Sequence, residues 1–296
     1  MLFRSKLNPS LQRQIDLPFF DAHHREIRSD LHAWASNHIT HATFDESLVD
    51  AHCQGLVKLL GNAGWFRHAI AGIESGGATQ TIDTRSICLI REELAWHSGL
   101  ADFVFAMQGL GSGAISLFGS DAQKKHYLPQ VASGMSIAAF ALSEPHAGSD
   151  VAAMSCSAEA DGDHFIINGE KTWISNGGIA NFYVVFARTN EAPKAKGISA
   201  FIVDADTKGL QIAERIEVIA PHPLARLRFD NMRIPKSQRI GAGGTGFKVA
   251  MATLDVFRTS VAAAALGFAR RALDEAISWS KERQMFGQAL AEFQIT

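Results

Sequence analysis

Cysteine is scarce in this chain of 296 residues, and the three present, Cys53, Cys88 and Cys156, stand far apart. No CxxC pair or short Cys/His spacing occurs, which excludes a disulfide framework and a zinc knuckle. The thiols read as buried and free in a reducing compartment. An excess of charge is missing too: 28 Lys plus Arg face 30 Asp plus Glu, a net charge of −2. Without a basic surplus to neutralise phosphates, nucleic acid is not expected as a main partner. Disorder is excluded because 47% of the residues are apolar and only 20% are charged. The N-terminal MLFRSKLNPS lacks an apolar segment and a small-residue cleavage pattern, so no export is expected. Cytoplasm is the expected location, or the mitochondrial matrix in a eukaryote. The longest run without charge, Phe103 to Ser120, is diluted by Gln108, serines and four glycines. It reads as a buried core helix, and no membrane span is expected.

What is present is organised in three stretches, although at about 150 residues per domain the length alone suggests two domains. The first third is helical in pattern. Phe20, Ile27, Leu31, Trp34 and Ala35 recur at helical spacing, and Asp21 stands where an N-cap precedes them. Ile82, Leu89, Ile90 and Leu94 give a second amphipathic stretch before SGLADFVFAMQGLGSGAISLF, apolar nearly all round. Ser120 or Asp121 then caps DAQKKHYLPQVASG, with Pro129 and Gly134 marking its end. From about Met135 the period becomes two. SIAAFALS, SCSAEADG, HFIINGEKTWIS, FYVVFART, GISAFIVDA, LQIAERIEV and ARLRFDNMRIP read as strands between turns. After IGAGGTG a long helix runs from Phe247 towards Arg283, and its VAAAALGFA cluster implies a close helix–helix contact. The apolar face of that helix has too few partners within the chain. The fold class expected is α+β, mostly α: a helical domain at 1–134, a β-barrel or sandwich at 135–236, and the start of a helical bundle at 237–296.

Two segments concentrate chemistry. In FALSEPHAGSD, Ser143 and Ser149 offer hydroxyls and Gly148 lets a ligand approach the backbone. The bland alternative is a turn between strands. In KTWISNGG, Trp173 beside Ser175 pairs a flat apolar face with a hydroxyl, as an aromatic cofactor with a polar rim requires. A tryptophan buried in a strand is the alternative there.

Taken together, SEPHAGSD, NGEKTWISNG, RIPKSQRIG, GFKVAMATLD and ERQMFGQALAEFQ stand in the order and spacing of one family. From the FFDAHHR segment onward the chain resembles the acyl-CoA dehydrogenase family of flavoproteins. The resemblance implies a helical domain, a β domain and a helical bundle. It also implies FAD as cofactor and oxidation of an acyl-CoA thioester to its trans-2-enoyl-CoA. A base removes the α-proton, and hydride leaves the β-carbon for the flavin. Electrons then pass to an electron-transfer flavoprotein. By the same resemblance, Phe140, Leu142 and Ser143 lie along the flavin ring, beside Gly148, and Ser149 contacts the thioester ligand. Trp173, Ile174 and Ser175 match a W-I-T/S triplet in which the indole covers one side of the flavin. Asp255 and Arg258 line the CoA moiety, where a solvated i,i+3 ion pair is the plain alternative. Arg283 reaches the FAD pyrophosphate from a neighbouring subunit and Gln294 joins that contact, which implies a homo-oligomer, a dimer of dimers. No metal is expected.

The chain departs from the family pattern twice. VIAPHPLARLRF replaces the usual basic and hydroxyl-rich stretch near the substrate, and His222 between two prolines reads as a rigid turn. The family's usual catalytic glutamate near the end of the bundle has no counterpart up to Thr296. Where some relatives carry it instead, two residues beyond Asp255, Phe257 stands. The expectation is a truncated version of a longer dehydrogenase, with its base beyond Thr296. An oxygen-reducing relative, such as an acyl-CoA oxidase, flavin monooxygenase or nitroalkane oxidase, is the nearer alternative. A catalytically silent acyl-CoA-binding paralogue is the more distant one.

Overall fold

A computed structural model describes residues 14–39, 45–189, 192 and 194–294; the MLFRSKLNPS segment lies outside them. The helices are α1 (Ala22–His38), α2 (Val49–Asn62), α3 (Thr84–His97), α4 (Gly99–Phe118), α5 (Asp121–Ala132) and α6 (Gly246–Glu282). The strands are β1 (Ala138–Ala141), β2 (Ser157–Asp161), β3 (His164–Ser175), β4 (Phe182–Arg188), β5 (Ile198–Asp204), β6 (Leu210–Arg215), β7 (Leu224–Pro235) and β8 (Arg239–Ile240). A hairpin of β9 (Gln284–Met285) and β10 (Gln288–Ala289) follows α6. The chain divides into two compact units. One comprises Met1–His41, Thr84–Asp102 and Ser260–Thr296; the other comprises Ala42–Asp83 and Phe103–Thr259.

In the first unit, α1 begins where Asp21 offers its N–H to His24 Nδ1 at 2.9 Å, a cap that satisfies a donor left over at the helix start. Its buried face, His24, Arg28, Leu31 and Ala35, keeps helical spacing. The small residues expected to allow a close approach do so here: a Cβ on Gly267 of α6 would strike the backbone carbonyl of Glu92 in α3. Several buried polar groups are paired. Arg91 makes a fork to both oxygens of Asp102 at 2.8 Å and reaches Ser260 at 3.0 Å. Trp96 Nε1 donates to Asp274 at 2.7 Å.

The second unit is built on one eight-stranded sheet, ordered β6-β7-β3-β2-β4-β5-β8 with β1 joined to β4. Strands β4 and β5 are nearly continuous apolar runs and are buried along almost their whole length, as expected for strands covered on both faces. Ser120 and Gln123 cap α5 reciprocally, Gln123 N to Ser120 Oγ at 3.3 Å and Ser120 N to Gln123 Oε1 at 2.9 Å. Pro129 lies inside that helix rather than at its end. Its missing N–H costs one bond in the final turn. The chain leaves the helix at Gly134, whose φ is 71°. The uncharged run forms α4, whose most apolar stretch is 78% buried in the protein. By length and composition α4 and α6 could each cross a membrane, and the corresponding stretch of α6 is 33% buried.

The glycines of α4 have a packing purpose. A Cβ on Gly109 would lie 2.5 Å from Phe257 Cε1, and one on Gly113 would lie 2.8 Å from Thr253 Cγ2. Two glycines one turn apart thus let α4 and the first half of α6 meet closely.

The sheet also contains a seam. Ala138–Ala141 of β1 pair in parallel with Phe182–Val185 of β4, while β2 meets the same edge only at Ser157 opposite Arg188. Between β1 and β2 lie residues 142–156, which include LSEPHAGSD, the greater part of the FALSEPHAGSD segment.

Candidate active site

Beside the seam lies a cavity of about 510 Å³, a size that suits a small-molecule site. The loop after β1 contributes Leu142, Ser143, Gly148, Ser149 and Asp150, and β1 itself contributes Phe140. Strand β3 adds Trp173, Ile174 and Ser175. Met107 and Leu110 come from α4; Phe247, Met251, Leu254 and Arg258 come from α6. Two segments distant in sequence therefore meet on one pocket, and SEPHAGSD, which turns at Pro145–His146, also lines it.

Trp173 decides the second question. Its side chain is 60% exposed rather than buried in a strand. Along β3 and β7, Lys171 faces Leu227 and Ile174 faces Ala225, so β3 carries one extra residue. That bulge turns Trp173 outward at φ 59°, a left-handed conformation that bulky residues avoid. Lys171 before it and Ile174 after it are both fully buried.

The loop is tied to β3 by polar contacts that the sequence did not point to. Lys171 Nζ donates to Leu142 O at 3.0 Å and to Glu144 Oε1 at 2.8 Å. Glu144 also accepts from the backbone N–H of Ser155 at 2.6 Å and of Cys156 at 3.0 Å. Thr172 N donates to Ser143 O at 2.9 Å. Burial pushes the Glu144 carboxyl up, but the Lys171 charge and hydrogen bond and the two backbone donors outweigh it and hold it below its ordinary value. A lysine among strand residues gives little sign of such a partner, since its usual place is a solvated face.

The other expected residues separate. Arg258 lines the pocket, while Asp255 pairs with it at 3.3 Å as an exposed i,i+3 ion pair. Arg283 and Gln294 belong to the other compact unit, where both are exposed and Arg283 lies over the Trp279 ring at 5.9 Å. His222 bonds Ala220 O at 2.8 Å and lies against Phe103, as a rigid turn would. Cys53 and Cys156 are buried free thiols, raised by burial to about 12 and about 11, and Cys88 is half-buried.

The pocket's chemistry suits a flat aromatic group. Its lining combines the exposed Trp173, the apolar Phe140, Leu142 and Ile174, and the hydroxyl-bearing Ser143, Ser149 and Ser175. Gly148 faces open space.

A metal is a poor match to one His/Glu cluster of the other unit. His32, Glu93 and His97 place three ligand atoms within 4.8 Å of one another. However, Arg28 lies 3.3 Å from Glu93 and 3.4 Å from Glu92, and Arg270 lies 2.6 Å from Glu92. Two guanidinium groups already balance the two carboxylates, so a divalent ion would bring two unmatched charges into a buried place.

Comparison with known proteins places this geometry. Residues 21–135, 139–232 and 244–296 match the N-terminal, middle and C-terminal domain profiles of acyl-CoA dehydrogenases. The chain belongs to the acyl-CoA dehydrogenase family. It is 40% identical over 290 residues to the probable acyl-CoA dehydrogenase FadE25 of Mycobacterium tuberculosis, a match covering 97% of this chain and 72% of that protein. Its fold is similar to the butyryl-CoA dehydrogenase of Megasphaera elsdenii, with TM-score 0.81 and 32% identity over 93% of this chain and 73% of the other. It is also similar to an acyl-CoA dehydrogenase of Bacillus anthracis solved with FAD, with TM-score 0.82 and 30% identity over 95% of this chain and 49% of the other.

Proposed function

We propose that this acyl-CoA dehydrogenase relative binds FAD, oxidises an acyl-CoA thioester to its trans-2-enoyl-CoA and delivers the electrons to an electron-transfer flavoprotein. The observation that carries the reading is Trp173: a large ring kept exposed, in a strained conformation, beside a pocket of matching shape. FAD bound along Phe140, Leu142, Ser143 and the Trp173–Ser175 triplet would supply an acceptor for the hydride that leaves the substrate's β-carbon. Ser149 is assigned to the thioester. Hydrogen bonding at the thioester carbonyl makes the α-proton more acidic. Arg258, oriented by Asp255, is assigned to the CoA moiety, where a planar guanidinium suits phosphate oxygens.

Asp150 is the one carboxylate among the pocket-lining residues, and it stands in the exposed part of the loop. Phe257 puts a buried ring against Gly109 and Gly113 where some relatives carry a base. Neither position is assigned as the proton acceptor. Residues 1–134 and 135–236 are assigned as the helical and β domains, and 237–296 as the opening of the bundle. Arg283 and Gln294 are assigned to the FAD pyrophosphate of a neighbouring subunit, in a dimer of dimers. Cytoplasm is the assigned location, or the mitochondrial matrix in a eukaryote.

The test is to titrate the purified chain with FAD and then add stoichiometric acyl-CoA of graded chain length. Weak but saturable FAD binding with little flavin bleaching is expected. No FAD binding would overturn the cofactor assignment, and full bleaching would show that a proton acceptor lies among this chain's own residues. Gel filtration of the same sample reads the assembly, and a stable FAD-loaded monomer would contradict it.

A further inference from the structure

We infer that Lys171 and Glu144 act as a pair of positioning residues that hold Trp173 and the Ser143–Asp150 loop in ligand-binding register. The inference rests on the pocket being the FAD site, and it adds two residues that touch neither cofactor nor substrate. Its basis is the seam. At Ala141 the pairing of β1 with β4 ends, and β2 takes up that edge only at Ser157. In between, the backbone has no continuous ladder to fix it. Two side chains fix it: Arg188 of β4 donates to Ala152 O at 2.7 Å and Met154 O at 3.1 Å, and on the pocket strand Lys171, fully buried, bonds Leu142 O and Glu144 Oε1, with Met154 Sδ at 3.8 Å.

Glu144 completes the closure. Its second oxygen reaches across to Ser155 N, and its backbone pairs with Ala147 in both directions at 3.1 Å. The stretch from Leu142 to Cys156 is thus tied to Lys171 of β3 directly at Leu142 and through Glu144 at Ser155 and Cys156. On the same strand, Thr172 N to Ser143 O adds a backbone tie, and the next residue is the extruded Trp173. A left-handed bulky residue persists only where its surroundings over-determine it. Here the buried Lys171 on one side and Ile174 on the other supply that constraint. One ion pair thereby sets both the indole on one wall of the pocket and the serine loop on another.

The test uses a double variant, because Lys171→Met alone leaves a buried carboxylate without its cation and can prevent folding. The double variant Lys171→Met/Glu144→Gln removes both charges and keeps one amide oxygen to accept from Ser155 or Cys156. Amide exchange in β4 and β5 checks that the sheet survives. Emission of Trp173 is read as the difference from Trp173→Phe, since the chain has five tryptophans. With FAD as the added probe, the double variant is expected to bind about tenfold or more weakly. Its residual bound flavin should no longer quench Trp173. A folded double variant with unchanged FAD affinity and unchanged quenching would overturn the proposal. If the unsubstituted chain binds no FAD, the cofactor reading fails by itself. Acrylamide quenching of Trp173 and exchange at Thr172 in the cofactor-free chain then decide the positioning role. A change in both supports it, and wild-type values in both overturn it.

Discussion

Trp173 occupies a region of backbone space that glycine enters freely and a bulky side chain enters at a cost of about 1–3 kcal/mol. Because 60% of the ring is exposed, burial within the chain returns little of that cost. Replacing it should separate stability from binding. Trp173→Gly is expected to change the unfolding free energy by no more than about 1 kcal/mol, because relief of strain offsets the lost contacts. The same variant is expected to lose FAD affinity by about tenfold or more. Denaturant titration beside FAD titration checks both. A large destabilisation with intact FAD affinity would make Trp173 a structural residue. The sequence singled out the serines and the tryptophan because their motifs are local, and all of them line the pocket. The Lys171–Glu144 contact was not, because it joins residues 27 apart through a buried charge that composition alone places on the surface.

At the level of elements, strand β3 was readable from end to end: HFIINGEKTWIS spans the observed His164–Ser175. The run of apolar β-formers between turn residues has no helical competitor there. The β9–β10 hairpin was not readable. Its two-residue turn is Phe286–Gly287, with φ of 49° and 86°, and lacks the Asn-Gly or Asp-Gly signature of such turns. The glycines of α4 were read as diluting an apolar run, whereas two of them admit Phe257 and Thr253. Gly109→Ala tests this contact. The added methyl would overlap a buried ring, so destabilisation of about 1–3 kcal/mol is expected despite alanine's better helix propensity. Stabilisation measured by urea titration would show that α6 gives way freely. FAD affinity should fall in parallel, since Phe247, Met251, Leu254 and Arg258 sit on the same helix and line the pocket.

Across the whole molecule, each compact unit carries a buried carboxylate held in its charged form, Glu93 in one and Glu144 in the other. Burial pushes Glu93 up, but hydrogen bonds to His32 and His97 and the Arg28 charge prevail and set it well below the usual carboxylate range. A carboxylate lowered on folding contributes stability that is complete above its unfolded value near 4.5 and is lost as pH falls through its folded value. The chain should therefore show little change in its urea midpoint between about pH 7 and pH 5.5, then lose stability steeply below about pH 4.5. Glu93→Gln and Glu144→Gln should each flatten that acid limb. An unchanged limb in both variants would assign it to other groups.

The seam in the sheet has a further consequence, for how such a chain can vary. Strands β1 and β2 are separately anchored on one edge of β4, so the span between them is an arc with fixed ends. Its outermost residues, Pro145 and His146, are exposed and fill no core position. Insertions or deletions at that apex would alter the reach of Gly148 and Ser149 into the pocket while leaving every strand pairing in place. Ligand preference could then drift through loop length alone, at a single address in the sequence.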